Sequence, residues 1–270
     1  MKRAVVCLLL SLACFALPAA AGVEIETRTR SLEGSGGKKH LTIWVDGDRL
    51  VAEPRKAEAP PSRRRIVYLA ERETMWFIDT KRATYYQLDP ESAETTAAQV
   101  SGLKKDLAAA LEGLDPEVRG KAENLLGKLE TGEMNPREEV RLRERDESGR
   151  YADLPCARYD VLAKEKRLAE ICVADWTSVG PAAATRPLVP ALSRFLRTSF
   201  EPLARELPVL APMLAWTALE DTPGFPLHTR SYSDDEPDSE TWVRAIREVE
   251  VDAARFELPE GYARSWVPPF

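Results

Sequence analysis

Two cysteines and two histidines are the residues beyond the first turns of the chain best suited to metal or redox chemistry. They are Cys156, Cys172, His40 and His228. A zinc site needs about four ligands, and the histidines lie far in sequence from each other and from the cysteines. Catalytic redox pairs usually have the spacing C-x-x-C, whereas fifteen residues separate this pair. Since the first 21 residues have the pattern of a cleaved signal peptide, which predicts an oxidising compartment, we predict one structural disulfide between Cys156 and Cys172.

The residues between the two cysteines predict a β-hairpin. If Cys156 lies opposite Cys172 in an antiparallel pair, the turn centres on Lys164, inside the polar run KEKR. Alternation along the strands then divides the side chains between two faces. The face predicted to be polar and outward carries Cys156, Arg158, Asp160, Glu170 and Cys172, and the face predicted to meet helices carries Tyr159, Val161, Ile171 and Val173.

Other polar groups lack the arrangement of a known catalytic or metal motif. The acidic run SDDEPDSE has neither the glycine nor the ligand spacing of an EF-hand loop, which predicts a solvated turn. Arg63–Arg65 reads as an exposed loop cluster, and Ser101 and Ser199 stand outside any G-x-S-x-G context. We therefore predict a protein that is not an enzyme and needs no cofactor or metal.

The N-terminal residues predict export to the periplasm. Lys2 and Arg3 precede an apolar run that ends in Ala19-Ala20-Ala21, the pattern of a signal peptide cleaved after residue 21. The 38 Lys and Arg and 44 Asp and Glu of the whole chain become 36 and 44 after cleavage, a formal charge of −8. This acidic balance excludes general affinity for nucleic acid. No later segment is apolar enough to predict a transmembrane anchor.

The period of the apolar residues changes several times after residue 22. Alternating stretches predict strands up to about residue 88, and Asp89-Pro90 then begins a helical hairpin over about 90–130. The first helix of that hairpin has an apolar stripe of Val100, Leu103, Leu107, Leu111 and Leu114. Further strands follow, interrupted over about 187–215 by a helical segment that prolines break. This order predicts a single α+β domain over 22–270, with a strongly curved antiparallel sheet and helices on its concave face.

Several short motifs resemble one family of exported proteins. They are the strand pair VDGDRLVAE, the hairpin IVYL and MWFIDTKRATYYQL, the C-x(15)-C hairpin, the run Gly224–Leu227 and the closing run Phe256–Tyr262. Together they resemble exported bacterial domains related to the periplasmic lipoprotein carriers (LolA/LolB-like). The resemblance implies an unclosed β-barrel whose apolar concave face is covered by helices and takes acyl chains.

The resemblance and the apolar residues together favour a hydrophobic ligand. We expect an acyl chain or lipid to contact Trp44, Trp76, Tyr85, Leu192, Phe195 and Leu196. An alternative is an envelope module that binds another protein through its acidic surface or an exposed strand edge and has no small-molecule ligand.

Overall fold

The fold was analysed in a computed structural model of the 270-residue chain. The structure describes residues 22–32, 38–55, 64–113, 115, 119–121, 139–151, 153–233 and 235–265. The predicted signal peptide over 1–21 and most of the second helix of the predicted hairpin lie outside these residues.

Twelve strands form one sheet in the described part of the chain. Those before the first helix are β1 (Gly22–Ser31), β2 (Lys39–Asp46), β3 (Arg49–Arg55), β4 (Arg64–Leu69), β5 (Thr74–Asp79) and β6 (Thr84–Leu88). Those after it are β7 (Val140–Tyr151), β8 (Leu154–Ala163), β9 (Lys166–Asp175), β10 (Gly224–Ser233), β11 (Glu236–Val249) and β12 (Ala263–Arg264).

The sheet is open, and its strand order brings an early strand next to a late one. The strands follow the order β12-β6-β5-β4-β3-β2-β1-β11-β10-β9-β8-β7, so β1 pairs with β11 at the centre. All pairs are antiparallel except the short contact of β12 with β6. The prediction of an α+β chain with one large antiparallel sheet is thus confirmed, and the sheet is not closed into a barrel.

The first helix, α1 (Pro90–Glu112), begins at the predicted residue. The Asp89 side chain accepts a hydrogen bond from the Ser92 backbone N–H at 2.7 Å, and the Ser92 hydroxyl accepts one from the Asp89 N–H at 2.9 Å. This reciprocal cap satisfies two donors that a helix N-terminus leaves unpaired. The predicted apolar stripe is only partly buried, because Leu111 is covered whereas Leu103 is 68% exposed.

The proline-rich region forms two consecutive elements. Helix α2 (Leu188–Glu206) ends at Leu207, and a run of 3-10 turns, η3 (Pro208–Asp221), follows directly. Pro202 lies inside α2, and Pro208 follows the residue that ends it. The α-helix therefore continues through Pro202 and gives way to 3-10 turns at Pro208. Shorter 3-10 turns are η1 (Ala70–Arg72), η2 (Gly180–Thr185) and η4 (Ala253–Phe256).

Side chains are buried on both faces of the sheet. On one face, here called the helical face, strand residues such as Tyr68 and Met75 share a core cluster with Phe195 and Phe200 of α2. On the opposite face, residues of β2 to β5 pack under Phe256 of η4. Because neighbouring residues of a strand point to opposite faces, β2 to β5 contribute side chains to both clusters.

Candidate functional site

An apolar cavity of about 290 Å³ lies between the sheet and the helical elements. Its walls come from β1, β2, β3, β10 and β11 on the sheet side and from η2, α2 and η3 on the other. The larger apolar lining residues are Ile25, Leu41, Ile43, Leu50, Trp176, Leu188, Leu192, Trp216, Leu219, Phe225, Leu227 and Trp242. Hydrocarbon is the chemical class that such walls accommodate best, since burial from water stabilises apolar surface by about 25 cal/mol per Å².

Two sequence patterns build this cavity. Leu41, Ile43 and Val45 alternate along β2 and therefore share one face of the sheet. Leu188 and Leu192 are one turn apart at the start of α2 and face them across the cavity. The next turns of α2 place apolar residues in the main core instead, so the cavity ends where the helix packs closely on β4 to β6.

A second cavity of about 410 Å³ lies beside the first on the helical face. Its apolar wall consists of Leu142, Val161, Leu168, Ala169, Ile171, Met213, Ala215, Ala218 and shared residues of η3. Its polar side chains are those of Thr229, Ser231, Ser233 and Asp238 near the β10–β11 turn. This cavity is therefore amphipathic, in contrast with the first.

The segment η3 separates the two cavities. Trp216 and Leu219 of η3, and Thr229 of β10, line both of them. Trp216 is 41% exposed and Met213 is 39% exposed, although both are large and apolar. Exposed apolar side chains at the rim of an apolar cavity are typical of a ligand entrance.

The six residues predicted to contact a ligand do not lie together. Leu192 lines the apolar cavity, and Phe195 and Leu196 are buried in the main core next to it. Trp44 and Trp76 lie in the cluster on the opposite face, and Tyr85 packs against that cluster. The prediction that all six share one site is therefore corrected, because Trp44 and Trp76 alternate with the residues that face the helices.

The C-terminal segment covers this tryptophan cluster. The ring of Phe256 is buried within it, and the guanidinium of Arg255 lies 4.3 Å from the ring centroid of Trp44. The Trp44 indole N–H donates to Glu24 at 3.0 Å. These contacts give the aromatic residues on the opposite face structural partners within the chain.

A buried carboxylate joins three central strands on the face opposite the cavities. Glu240 of β11 is 8% exposed and accepts hydrogen bonds from Arg30 of β1 at 2.7 Å and from Arg230 of β10 at 2.9 Å. Burial by itself would raise the pKa of Glu240, but these two guanidiniums outweigh it and hold the pKa below its ordinary value. The prediction of a solvated turn over SDDEPDSE was wrong for Glu240, since β11 already begins at Glu236.

His228 lies beside this carboxylate. Its Nε2 atom is 4.0 Å from Glu240, and its ring stacks on Tyr151 with centroids 5.2 Å apart. Burial lowers the pKa of His228, and the neighbouring Glu240 opposes that shift only in part. The imidazole is therefore neutral near pH 7. Sequence analysis only set His228 aside as a zinc ligand, and no local motif signals its partners.

A second carboxylate of the same face is also paired. Glu170 of β9 lies 3.2 Å from Arg145 and 3.1 Å from Arg158, and the Tyr232 hydroxyl donates to it at 3.4 Å. These groups come from four neighbouring strands, β7 to β10. Their mutual neutralisation ties the strands together and leaves no uncompensated charge on Glu170.

The predicted disulfide between Cys156 and Cys172 is confirmed. The predicted division of faces also holds, because Tyr159, Val161, Ile171 and Val173 pack with Ala218 of η3. The register differs, since Arg158 pairs with Cys172 and a register shift follows Val161.

The surroundings of the disulfide also correct the prediction. Both sulfur atoms are buried, and a Cβ added at Gly149 of β7 would lie 3.2 Å from the Cys156 sulfur and 3.1 Å from the Cys172 sulfur. The bridge is thus covered by the backbone of β7 and does not face outward into solvent.

The described residues contain no cluster of three or more His, Cys, Asp or Glu that could hold a metal ion. Among the helices of this part of the chain, none is both long and apolar enough to cross a membrane.

Comparison with known proteins leaves the family open. No family model and no curated protein matches the chain. Among solved structures, an uncharacterized conserved protein from Thermus thermophilus has a TM-score of 0.45 at 6% identity over 91% of this chain and 90% of that one.

Two further solved structures are similar in the same range. PNGF-II has a TM-score of 0.41 at 9% identity, and the match covers 91% of this chain but 31% of PNGF-II. A LolA superfamily protein from Nitrosomonas europaea has a TM-score of 0.28 at 8% identity, over 89% of this chain and 91% of that one. Scores of this size establish neither ancestry nor function, so the site has to be interpreted from its own chemistry.

Proposed function

We propose that this protein is a non-catalytic binding protein of the periplasm that holds a hydrophobic ligand, an acyl chain or lipid. The apolar cavity between the sheet and α2–η3 carries the proposal. In this view the sheet is a strongly curved, unclosed barrel, and the helical face is its concave side. The ligand enters past Trp216 and Met213, the exposed apolar residues of η3.

The ionisable groups of the opposite face favour a structural role over catalysis. A general base needs a carboxylate or imidazole that can take up a proton near neutral pH. Glu240 is held ionised by two arginines, and Glu170 is likewise paired with two arginines. Both carboxylates lie on the face away from the cavities, where they connect strands.

The leader sequence and the disulfide support the periplasmic assignment. A cleaved leader over 1–21 would send the chain out of the cytoplasm, and a disulfide persists in an oxidising compartment. The mature chain would then meet lipids and lipoproteins of the envelope.

Filling the cavity tests the proposal. We expect Leu192→Trp to weaken binding of the hydrophobic fluorophore phenylnaphthylamine by roughly tenfold or more, because excess volume in a packed site costs about 1–3 kcal/mol. Leu103→Trp is the matched control, since it makes the same replacement at an exposed position of α1. Mass spectrometry of lipids extracted from natively purified protein should find hydrocarbon ligands in the wild type and fewer in Leu192→Trp.

Two results would count against the proposal. One is protein that is repeatedly purified empty, and the other is equal affinity of the fluorophore for both tryptophan variants and the wild type. Both together would leave the envelope interaction module as the better explanation of the fold.

A further inference from the structure

The second cavity differs from the first in the chemistry of its walls. The exposed wall of the first cavity is mainly apolar, with threonines and His228 among its lining residues, whereas the second cavity adds the hydroxyl groups of Ser231 and Ser233 and the carboxylate-bearing residue Asp238. Hydroxyl groups both donate and accept hydrogen bonds, so they can satisfy a polar ligand group withdrawn from water. A ligand group that occupies the second cavity is therefore expected to be polar.

The two cavities are neighbours on the helical face and share part of their walls. Trp216, Leu219 and Thr229 contribute to the walls of both. A ligand that extends past Trp216 would therefore have one end among apolar side chains and the other among hydroxyl groups. This arrangement fits an amphiphile, with its two chemical parts separated along its length.

The charge of the second cavity's walls limits which polar head groups can bind there. The second cavity is lined by one charged residue, Asp238, and by no lysine or arginine. The backbone carbonyl of Asp238 accepts a hydrogen bond from the Leu32 N–H at 2.7 Å, which fixes this residue beside β1. A carboxylate or phosphate placed there would be repelled by Asp238 with no cation of the walls to offset it. A hydroxyl group would instead donate a hydrogen bond to the Asp238 carboxylate.

The volume of the first cavity limits the apolar end. A cavity of about 150 Å³ accommodates benzene, which has six carbon atoms. The first cavity has about 290 Å³ and would hold on the order of ten carbon atoms by the same proportion. One short acyl chain fits this volume, while several chains do not.

We propose that the two cavities together form a binding site for a single-chain amphiphile with an uncharged, hydroxyl-bearing head group. The acyl chain lies in the apolar cavity, and the head group lies against Ser231 and Asp238. This inference rests on the proposed function, because it names the class of ligand for the same site.

Three ligands with the same ten-carbon chain test the inference. Monodecanoylglycerol has a neutral head with hydroxyl groups, methyl decanoate has a neutral head without them, and decanoate is anionic. Calorimetry at pH 7.5, below the concentration at which each ligand aggregates, should show monodecanoylglycerol binding about tenfold or more tightly than either of the others.

A pair of charge variants isolates the role of the carboxylate. Asp238→Asn keeps the shape of the side chain and removes its charge, so decanoate should bind this variant more tightly than it binds the wild type. The difference in affinity between monodecanoylglycerol and decanoate should therefore become smaller. Asp235→Asn is the control, since Asp235 is an exposed residue of the same turn and does not line the cavity.

Each outcome bears on a different part of the argument. Binding of all three ligands with equal affinity, lost in Leu192→Trp, would overturn the head-group inference and leave the proposed function standing. Tighter binding of decanoate than of monodecanoylglycerol by the wild type would also overturn the inference. So would a preference for monodecanoylglycerol over decanoate that Asp238→Asn leaves unchanged. No binding of any of the three ligands would contradict the inference and the proposed function together.

Discussion

Removing the Cys156–Cys172 bridge should destabilise the fold without altering the cavities. The bridge joins residues 16 positions apart, and by the chain-entropy argument a loop of this length contributes about 3 kcal/mol to stability. The two sulfur atoms are also buried, so their replacement removes packing contacts beneath β7. We therefore expect Cys156→Ala with Cys172→Ala to lower the free energy of unfolding by about 3–4 kcal/mol.

The choice of replacement separates the entropic effect from the effect of burial. Serine in place of both cysteines would bury two hydroxyl groups beside β7, and each unsatisfied hydroxyl costs about 1–3 kcal/mol. The serine pair should therefore be less stable than the alanine pair. Reduced wild type should be nearly as stable as the alanine pair, because it has the same open loop.

Urea unfolding followed by far-ultraviolet circular dichroism measures these differences. The alanine pair should bind phenylnaphthylamine as the wild type does, at a temperature where both are folded, since neither cysteine lines the proposed ligand cavities. A loss of less than about 1 kcal/mol in the alanine pair would refute the reasoning about the closed loop. A folded alanine pair that no longer binds the fluorophore would show that the bridge belongs to the site.

Two other buried groups give predictions for stability as a function of pH. The Tyr68 hydroxyl is buried without a hydrogen-bond partner among the described residues, and burial raises its pKa to about 12. Tyr68→Phe should therefore be as stable as the wild type or about 1 kcal/mol more stable at pH 7. In urea unfolding the wild type should lose roughly 2 kcal/mol more than Tyr68→Phe between pH 10 and 12, because the unfolded chain releases this proton first. Equal losses would contradict the raised pKa. Burial lowers the pKa of His228, so the unfolded chain binds a proton there before the folded chain does, and stability should fall as the pH drops below about 6.5. Thermal unfolding of the wild type and His228→Gln over pH 5–7.5 tests this, and a wild type whose midpoint falls no faster than that of the variant would show that His228 is not buried in a neutral state.

Local patterns predicted the strands and helices, but the partners that cover each face of a strand come from distant parts of the chain. The alternation in β8 and β9 correctly separated Tyr159 and Ile171 from Arg158 and Glu170. The same rule places Trp44 on the face of Thr42 and Asp46, away from Ile43. Because that face is also covered, the local alternation did not show which partner Trp44 has. The cover of that face comes from η4, more than 200 residues later in the chain.

The burial of Glu240 could not be predicted from the sequence for the same reason. Glu240 stands in an acidic run, and its partner Arg30 lies 210 residues away. Only the pairing of β1 with β11 brings the two together. The cavities likewise depend on how α2 and η3 lie across strands from both ends of the chain, so spacing alone predicted Leu192 but missed Trp216, Ser231 and Asp238.

The two faces of the sheet differ in how their contacts are held and in how exposed their apolar side chains are. On the opposite face, Glu240 and Glu170 connect side chains of six strands, through arginines of neighbouring strands and the Tyr232 hydroxyl. On the helical face, η3 is held mainly by apolar contacts and by one exposed ion pair, Glu220 with Arg197 of α2 at 3.3 Å, and it leaves Trp216 and Met213 exposed. Apolar contacts have no fixed direction, so η3 can shift over the cavities at lower cost than a strand can leave the ion-paired sheet. A ligand would therefore enter by displacement of η3, while the paired strands keep the floor of both cavities in place.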